Sequence, residues 1–207
     1  MRKLRLEVSP GAAFLAAALF FFLRGRELLA LLPAILTHEL GHAAAILALG
    51  LHLRGARAEA GGFRLDYAGD TTPLGHALIA AAGPAAGFAY AFLASFLWRE
   101  TGQDWLPLSA GLSLLLSIFN LLPAPPLDGG RILAPLLCAL LGSEKEERIG
   151  RILGFAVGFI LCALGIVSAL KGKGAAPLLP GLWLLLRDVS LSMMCDRVRK
   201  RRKSLFR

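Results

Sequence analysis

Long apolar runs, broken by short charged punctuation, organise this 207-residue chain from end to end. The runs are rich in Leu and Ala and lack period-two alternation, which predicts membrane helices and argues against a β-barrel. Six segments follow: about 10–23, 27–50, 75–98, 106–141, 149–170 and 175–194. The first is short, so Arg5 and Arg24 are expected to snorkel at its ends. The last is apolar only in its first half, because Arg187 and Asp188 interrupt it. The fourth is broken at 123–128, where Pro123-Ala-Pro-Pro126 removes backbone donors and Asp128-Gly-Gly130 follows. Unwound backbone at membrane depth is tolerated only inside protein or beside a water-filled cavity, so a broken helix carrying a carboxylate suggests a site. Gly61-Gly-Phe-Arg-Leu-Asp-Tyr67 does alternate, and predicts a short re-entrant or cytosolic β-hairpin near 61–67. The expected fold is therefore an all-α polytopic membrane protein forming a single domain over residues 1–207.

Composition agrees with this pattern. The chain is 56% hydrophobic and 18% charged, with mean hydropathy +0.63, outside the usual range of soluble domains. Its net charge of +9 would suit nucleic acid if it were spread over a polar surface. The basic residues instead gather at the ends of apolar runs and in the tail 195–207, where anionic lipid headgroups are the expected partner and nucleic acid is not. Six spans with both termini cytosolic place 17 basic residues inside and 5 outside, as the positive-inside rule requires. Cys138, Cys162 and Cys195 lie far apart in or beside apolar runs and read as small buried hydrophobes. No cleavage pattern for a signal peptide follows the first run, since Arg24-Gly-Arg-Glu27 comes directly after it.

Against this background Thr37-His-Glu-Leu-Gly-His-Ala43 is anomalous. Ionisable groups within a membrane helix are costly and functional by default. His38 and His42 are four apart, so on a helix they share one face and reach one metal ion, while Glu39 beside them is placed to work on the attacking water. A catalytic zinc usually takes three protein ligands, and Asp128 on the broken segment is the candidate third, although a turn aspartate before two glycines is common by itself. His52 and His76 sit near membrane boundaries and read as interfacial residues. Gly41 and Ala43 to Ala45 suit close helix approach.

His38-Glu-Leu-Gly-His42, followed by Asn120-Leu-Leu-Pro-Ala-Pro-Pro-Leu-Asp-Gly-Gly-Arg131, resembles the site-2 protease family of intramembrane zinc metalloproteases. The subgroup it looks most like is the sporulation stage IV FB protein, and the resemblance runs from about Ser9 through the sixth segment. It implies a three-helix core holding one zinc on His38, His42 and Asp128, with Glu39 as general base. It also implies cleavage of membrane-embedded or membrane-associated protein substrates, such as a sporulation sigma-factor precursor, in a bacterial cell membrane. Many family members carry a PDZ or CBS domain. This chain shows neither, so control is expected from partner membrane proteins or substrate delivery. Several branches also place a polar residue, often Asn, shortly after the Gly-Pro of the third segment, where this chain has Gly87. Asn120 is suited either to donate a hydrogen bond to substrate or to a developing oxyanion, or to pack as a helix amide. A metal transporter using the same His and Asp cluster, or a catalytically silent membrane scaffold, are the alternatives. Glu39 separates transport from hydrolysis, because transport has no special need of a carboxylate that does not ligate the metal.

Overall fold

The structure is a computed structural model that describes residues 5–9, 12–13, 17, 25–59, 62–172 and 174–187. Its elements, in order, are β1 (Arg5–Val8), α1 (Gly25–Ala48), β2 (His52–Glu59), β3 (Gly62–Ala68), α2 (Pro73–Thr101), α3 (Trp105–Asn120), α4 (Asp128–Leu141), α5 (Ser143–Leu170) and α6 (Leu178–Arg187). The chain packs as two compact units, residues 1–122 with 126–136, and residues 123–125 with 137–207.

Among the described residues three helices, α1, α2 and α5, are long and apolar enough to cross a membrane. At 1.5 Å per residue they measure about 36, 43 and 42 Å, against a hydrocarbon core of about 30 Å. They correspond to the expected second, third and fifth segments. The expected fourth is two shorter helices, α3 and α4, separated by the non-helical residues 121–127. The break therefore falls where the prolines put it, and the sixteen residues of α3 span only about 24 Å. The first expected segment lies outside the described residues except for Ala12, Ala13 and Ala17, which are helical. The sixth is described only through α6, and the basic tail 195–207 lies outside the described residues.

In the first unit, α1 presents a buried stripe at strict four-residue spacing: Ala30, Ala34, His38, His42 and Ile46. Leu29, Leu32, Leu36, Leu40 and Leu47 are exposed on its other sides, which suits contact with lipid. α2 begins on Thr72, whose hydroxyl accepts the Gly75 N–H at 3.1 Å, with Pro73 in the first turn where its missing N–H costs nothing. It ends at Gly102, whose φ of 66° needs a residue without a Cβ. α3 joins them through three fully buried serines at the same spacing. Tyr90 O–H donates to Ser109 Oγ at 2.7 Å, and Ser109 donates to the Ala30 carbonyl at 2.6 Å. Ser113 donates to the Gly87 carbonyl at 2.9 Å, and Ser117 to the Ser113 carbonyl at 2.8 Å. Small residues let the backbones approach, and their hydroxyls find carbonyls without water. Gly87 is part of this seam: a side chain there would overlap Ser117 Oγ.

The expected hairpin is one edge of a larger element. β1, β2 and β3 form a three-stranded sheet in that order, β1 parallel to β2 and β2 antiparallel to β3, with a bulge at Leu53/Gly55. Leu53, Leu65 and Tyr67 on its inner face pack on Ile46, Leu51 and Ile79, which docks the sheet on the end of α1 and the start of α2. Glu7 pairs with Arg57 opposite it at 2.6 Å. The strand β2, His-Leu-Arg-Gly-Ala-Arg-Ala-Glu, is absent from the sequence expectation because it holds no β-branched or aromatic residue. In the second unit, Gly158, Gly165 and Gly181 bring α5 and α6 together, and a Cβ at Gly158 would press on Leu185 at 2.9 Å.

Candidate metal centre

The buried stripe of α1 explains why the two histidines point inward. They occupy the same helical positions that Ala30, Ala34 and Ile46 occupy elsewhere, so burying the stripe buries the imidazoles as well. His38 is 4% exposed and His42 8%. The room for them is made by α2. A Cβ on Gly83 would overlap the His42 ring, and one on Gly41 would sit 2.6 Å from Ala86 Cβ.

Asp128 arrives from ninety residues away. α3 stops at Asn120, residues 121–127 fold back, and α4 starts on Asp128 itself. The return is tight: a side chain on Gly129 would overlap the carbonyls of Leu121 and Leu122. Asp128 is 4% exposed as a result.

These three residues converge. Asp128 Oδ2 lies 3.2 Å from His38 Nε2 and 3.2 Å from His42 Nε2, and the two nitrogens are 3.3 Å apart. Among the described residues this is the one His, Cys, Asp or Glu group placed to hold a metal ion. A cation bound tetrahedrally at about 2.0–2.2 Å has ligand atoms about 3.3–3.6 Å apart, close to the observed triangle. One bridging proton satisfies a single pair of these atoms, not all three, so the donor set fits a divalent cation. The outer contacts agree. His42 Nδ1–H donates to the Ile79 carbonyl at 2.7 Å, which turns the Nε2 lone pair toward the cluster.

Glu39 stands beside the triangle and outside it. It is half-buried, its carboxylate faces the backbone N–H of Phe63 in β3, and its Oε2 has no partner. Among the described residues the only other buried side-chain atom without a partner is His38 Nδ1. Both such atoms thus belong to one site. Asn120 closes α3, with its Nδ2 donating to the Leu116 carbonyl at 3.0 Å. His52 is exposed on β2, and His76 Nδ1 shares a hydrogen bond with the Tyr67 hydroxyl at 2.8 Å; neither joins the cluster. Ile79, Gly83 and the Phe63 amide escaped the sequence reading, since a carbonyl, an absent side chain and a backbone N–H leave no residue-type signal.

Residues 99–165 match the profile of peptidase family M50. Rip3 of Mycobacterium tuberculosis (strain H37Rv), a candidate zinc metalloprotease by name, is 32% identical over 190 residues, covering 81% of this chain and 44% of Rip3. The protein sll0528 of Synechocystis, also a candidate zinc metalloprotease by name, is 27% identical over 175 residues, 79% of this chain and 46% of its own length. The chain thus spans less than half the length of these curated relatives. Its fold is that of the site-2 protease from Methanocaldococcus jannaschii, with a TM-score of 0.71 at 20% identity over 92% of this chain and 91% of that one.

Proposed function

We propose that the chain is an intramembrane zinc metalloendopeptidase that hydrolyses peptide bonds of membrane-embedded or membrane-associated proteins. The observation that carries this reading is the convergence of His38, His42 and Asp128 at 3.2–3.3 Å, with the unpartnered carboxylate oxygen of Glu39 beside them. The names of these relatives support zinc as the metal. Zinc held by these three side chains supplies acidity to a water and polarisation to the scissile carbonyl.

The protein's own groups do the rest. Glu39 takes a proton from the attacking water and delivers it to the leaving amine nitrogen, so one carboxylate serves first as base and then as acid. Ile79 keeps His42 in the tautomer that ligates. Asn120 has given one amide hydrogen to Leu116, and the other donates to a substrate carbonyl. A helical substrate hides its amides and must be extended before it is cut. β3 is an edge strand of the sheet, and its Phe63 N–H faces Glu39, which supports pairing of extended substrate along this strand.

Both termini face the cytosol of a bacterial cell, a reading supported by the distribution of basic residues. The tail 195–207 meets anionic lipid, and membrane-protein partners regulate access. Within the substrate class, a sporulation sigma-factor precursor is the finer reading, and it rests on the motif resemblance alone. A transporter would use the same ligands, but the Glu39 carboxylate, which stands outside the ligand triangle with its Oε2 unpartnered, favours hydrolysis.

The test is zinc per chain in detergent-solubilised protein, together with cleavage of a membrane-protein substrate. Wild type should hold about one zinc, Asp128→Ala should lose or weaken it, and Glu39→Gln should keep the metal while cleavage falls at least about a hundredfold. Turnover unchanged in Glu39→Gln would sink the mechanism, and folded wild type without zinc after metal-replete growth would sink the metal site.

A further inference from the structure

Only one oxygen of Asp128 faces the histidines. Oδ2 lies 3.2 Å from both imidazole nitrogens, whereas Oδ1 is turned toward Arg131, whose Nη1 is 3.7 Å away. Arg131 sits three positions after Asp128, on the same face of α4, and Gly129 and Gly130 between them carry no side chains. It is the first side chain that α4 can offer to the carboxylate. Asp128 is enclosed, with 6% of its side chain exposed, while 55% of the Arg131 side chain is exposed. The guanidinium therefore reaches in from the accessible edge of the site.

We infer that Arg131 is a positioning residue, which holds the second oxygen of Asp128 and so commits the carboxylate to the metal through one oxygen only. The inference rests on the proposed reading of His38, His42 and Asp128 as ligands. A carboxylate free at both oxygens can turn about its last torsion and offer either oxygen, or both. Offering both fills the position that a catalytic metal site keeps open for water. The charge on Arg131 makes that rotation unfavourable, because Oδ1 would leave its cation. Other ionisable groups face Asp128, namely His38, His42 and Glu39, but each lies on α1 and none of them holds Oδ1. At 3.7 Å the contact is an ion pair without a direct hydrogen bond. A bare ion pair of this length is worth little at an open surface, and more when one partner is as enclosed as Asp128.

The experiment uses the full chain in detergent and metal alone as probe: zinc affinity by chelator competition, and the visible spectrum of the cobalt-substituted protein. The variants are Arg131→Gln and Arg131→Lys, each with the melting temperature of the metal-free protein. Arg131→Gln should bind zinc about tenfold more weakly, the lower end of the range for outer partners of metal ligands. Its cobalt bands should weaken toward a higher coordination number, and Arg131→Lys should recover part of both effects. Wild-type affinity and spectrum in Arg131→Gln overturn the inference. So does a loss that Lys does not recover and that follows a fall in metal-free melting temperature, because that marks a fold role. Wild type that binds no zinc overturns the metal-site reading first and this inference with it, which distinguishes the two failures.

Discussion

Replacing Gly83 by Ala adds one methyl group where α2 passes the His42 ring. Built on the observed backbone, the new Cβ lies within 2.8 Å of three ring atoms, Nε2 among them, where ordinary contact begins near 3.4 Å. The backbone of α2 cannot retreat freely, because α3 is tied to it by the Ser113 hydrogen bond to the Gly87 carbonyl and by the Tyr90–Ser109 hydrogen bond. The ring must swing away instead. It then gives up its 2.7 Å hydrogen bond to Ile79 and its place 3.2 Å from Asp128. A structural zinc site with four ligands binds with about 10–16 kcal/mol, or about 3 kcal/mol for each ligand. Losing His42 should therefore weaken zinc binding by about a hundredfold. The same substitution one turn further along is the control. A methyl on Gly87 overlaps only Ser117 Oγ, with Ser113 Oγ at 3.4 Å and Ser117 Cβ at 3.5 Å, and a hydroxyl can rotate aside. Gly87→Ala should cost some helix packing and leave zinc in place. Both variants are read by chelator competition on purified protein. Equal zinc affinity in Gly83→Ala and wild type would refute the claim that the absent side chain makes room for the ligand.

Two further outcomes are expected. Ser109→Ala removes the link between Tyr90 and the Ala30 carbonyl and leaves the half-buried tyrosine hydroxyl without its partner, so thermal unfolding in detergent should show a loss of about 1–2 kcal/mol with zinc stoichiometry unchanged. An unshifted melting curve would show that the serine seam contributes nothing. Leu65→Pro removes a backbone donor from β3 and disturbs its pairing with Ala56, so turnover should fall while zinc remains bound; full activity in that variant would exclude the strand from substrate handling.

The motif chemistry was legible because it is local. Two histidines four apart lie on one helical face whatever surrounds the helix, and prolines at 123, 125 and 126 stop a helix in any context. The break in the fourth segment and the inward face of His38 and His42 follow from those facts. The strands were legible only in part. β3 alternates and holds Phe63, Leu65 and Tyr67, whereas β2 and β1 gain their strand character by pairing, which no local window contains. Among the described residues the second, third and fifth expected spans correspond to helices long enough to cross, whereas the fourth is two shorter helices, since hydropathy registers an apolar run without registering where its backbone turns. The metal centre divides along the same line. Residue types and spacing named its candidate ligands, because each type has a fixed chemistry. Only the tertiary structure brought Asp128 to 3.2 Å from two histidines ninety and eighty-six residues away, turned its other oxygen to Arg131 and set the Ile79 carbonyl and the bare Cα of Gly83 against the His42 ring. A side-chain period is written into every turn of a helix, but a distance between helices is set by what packs between them.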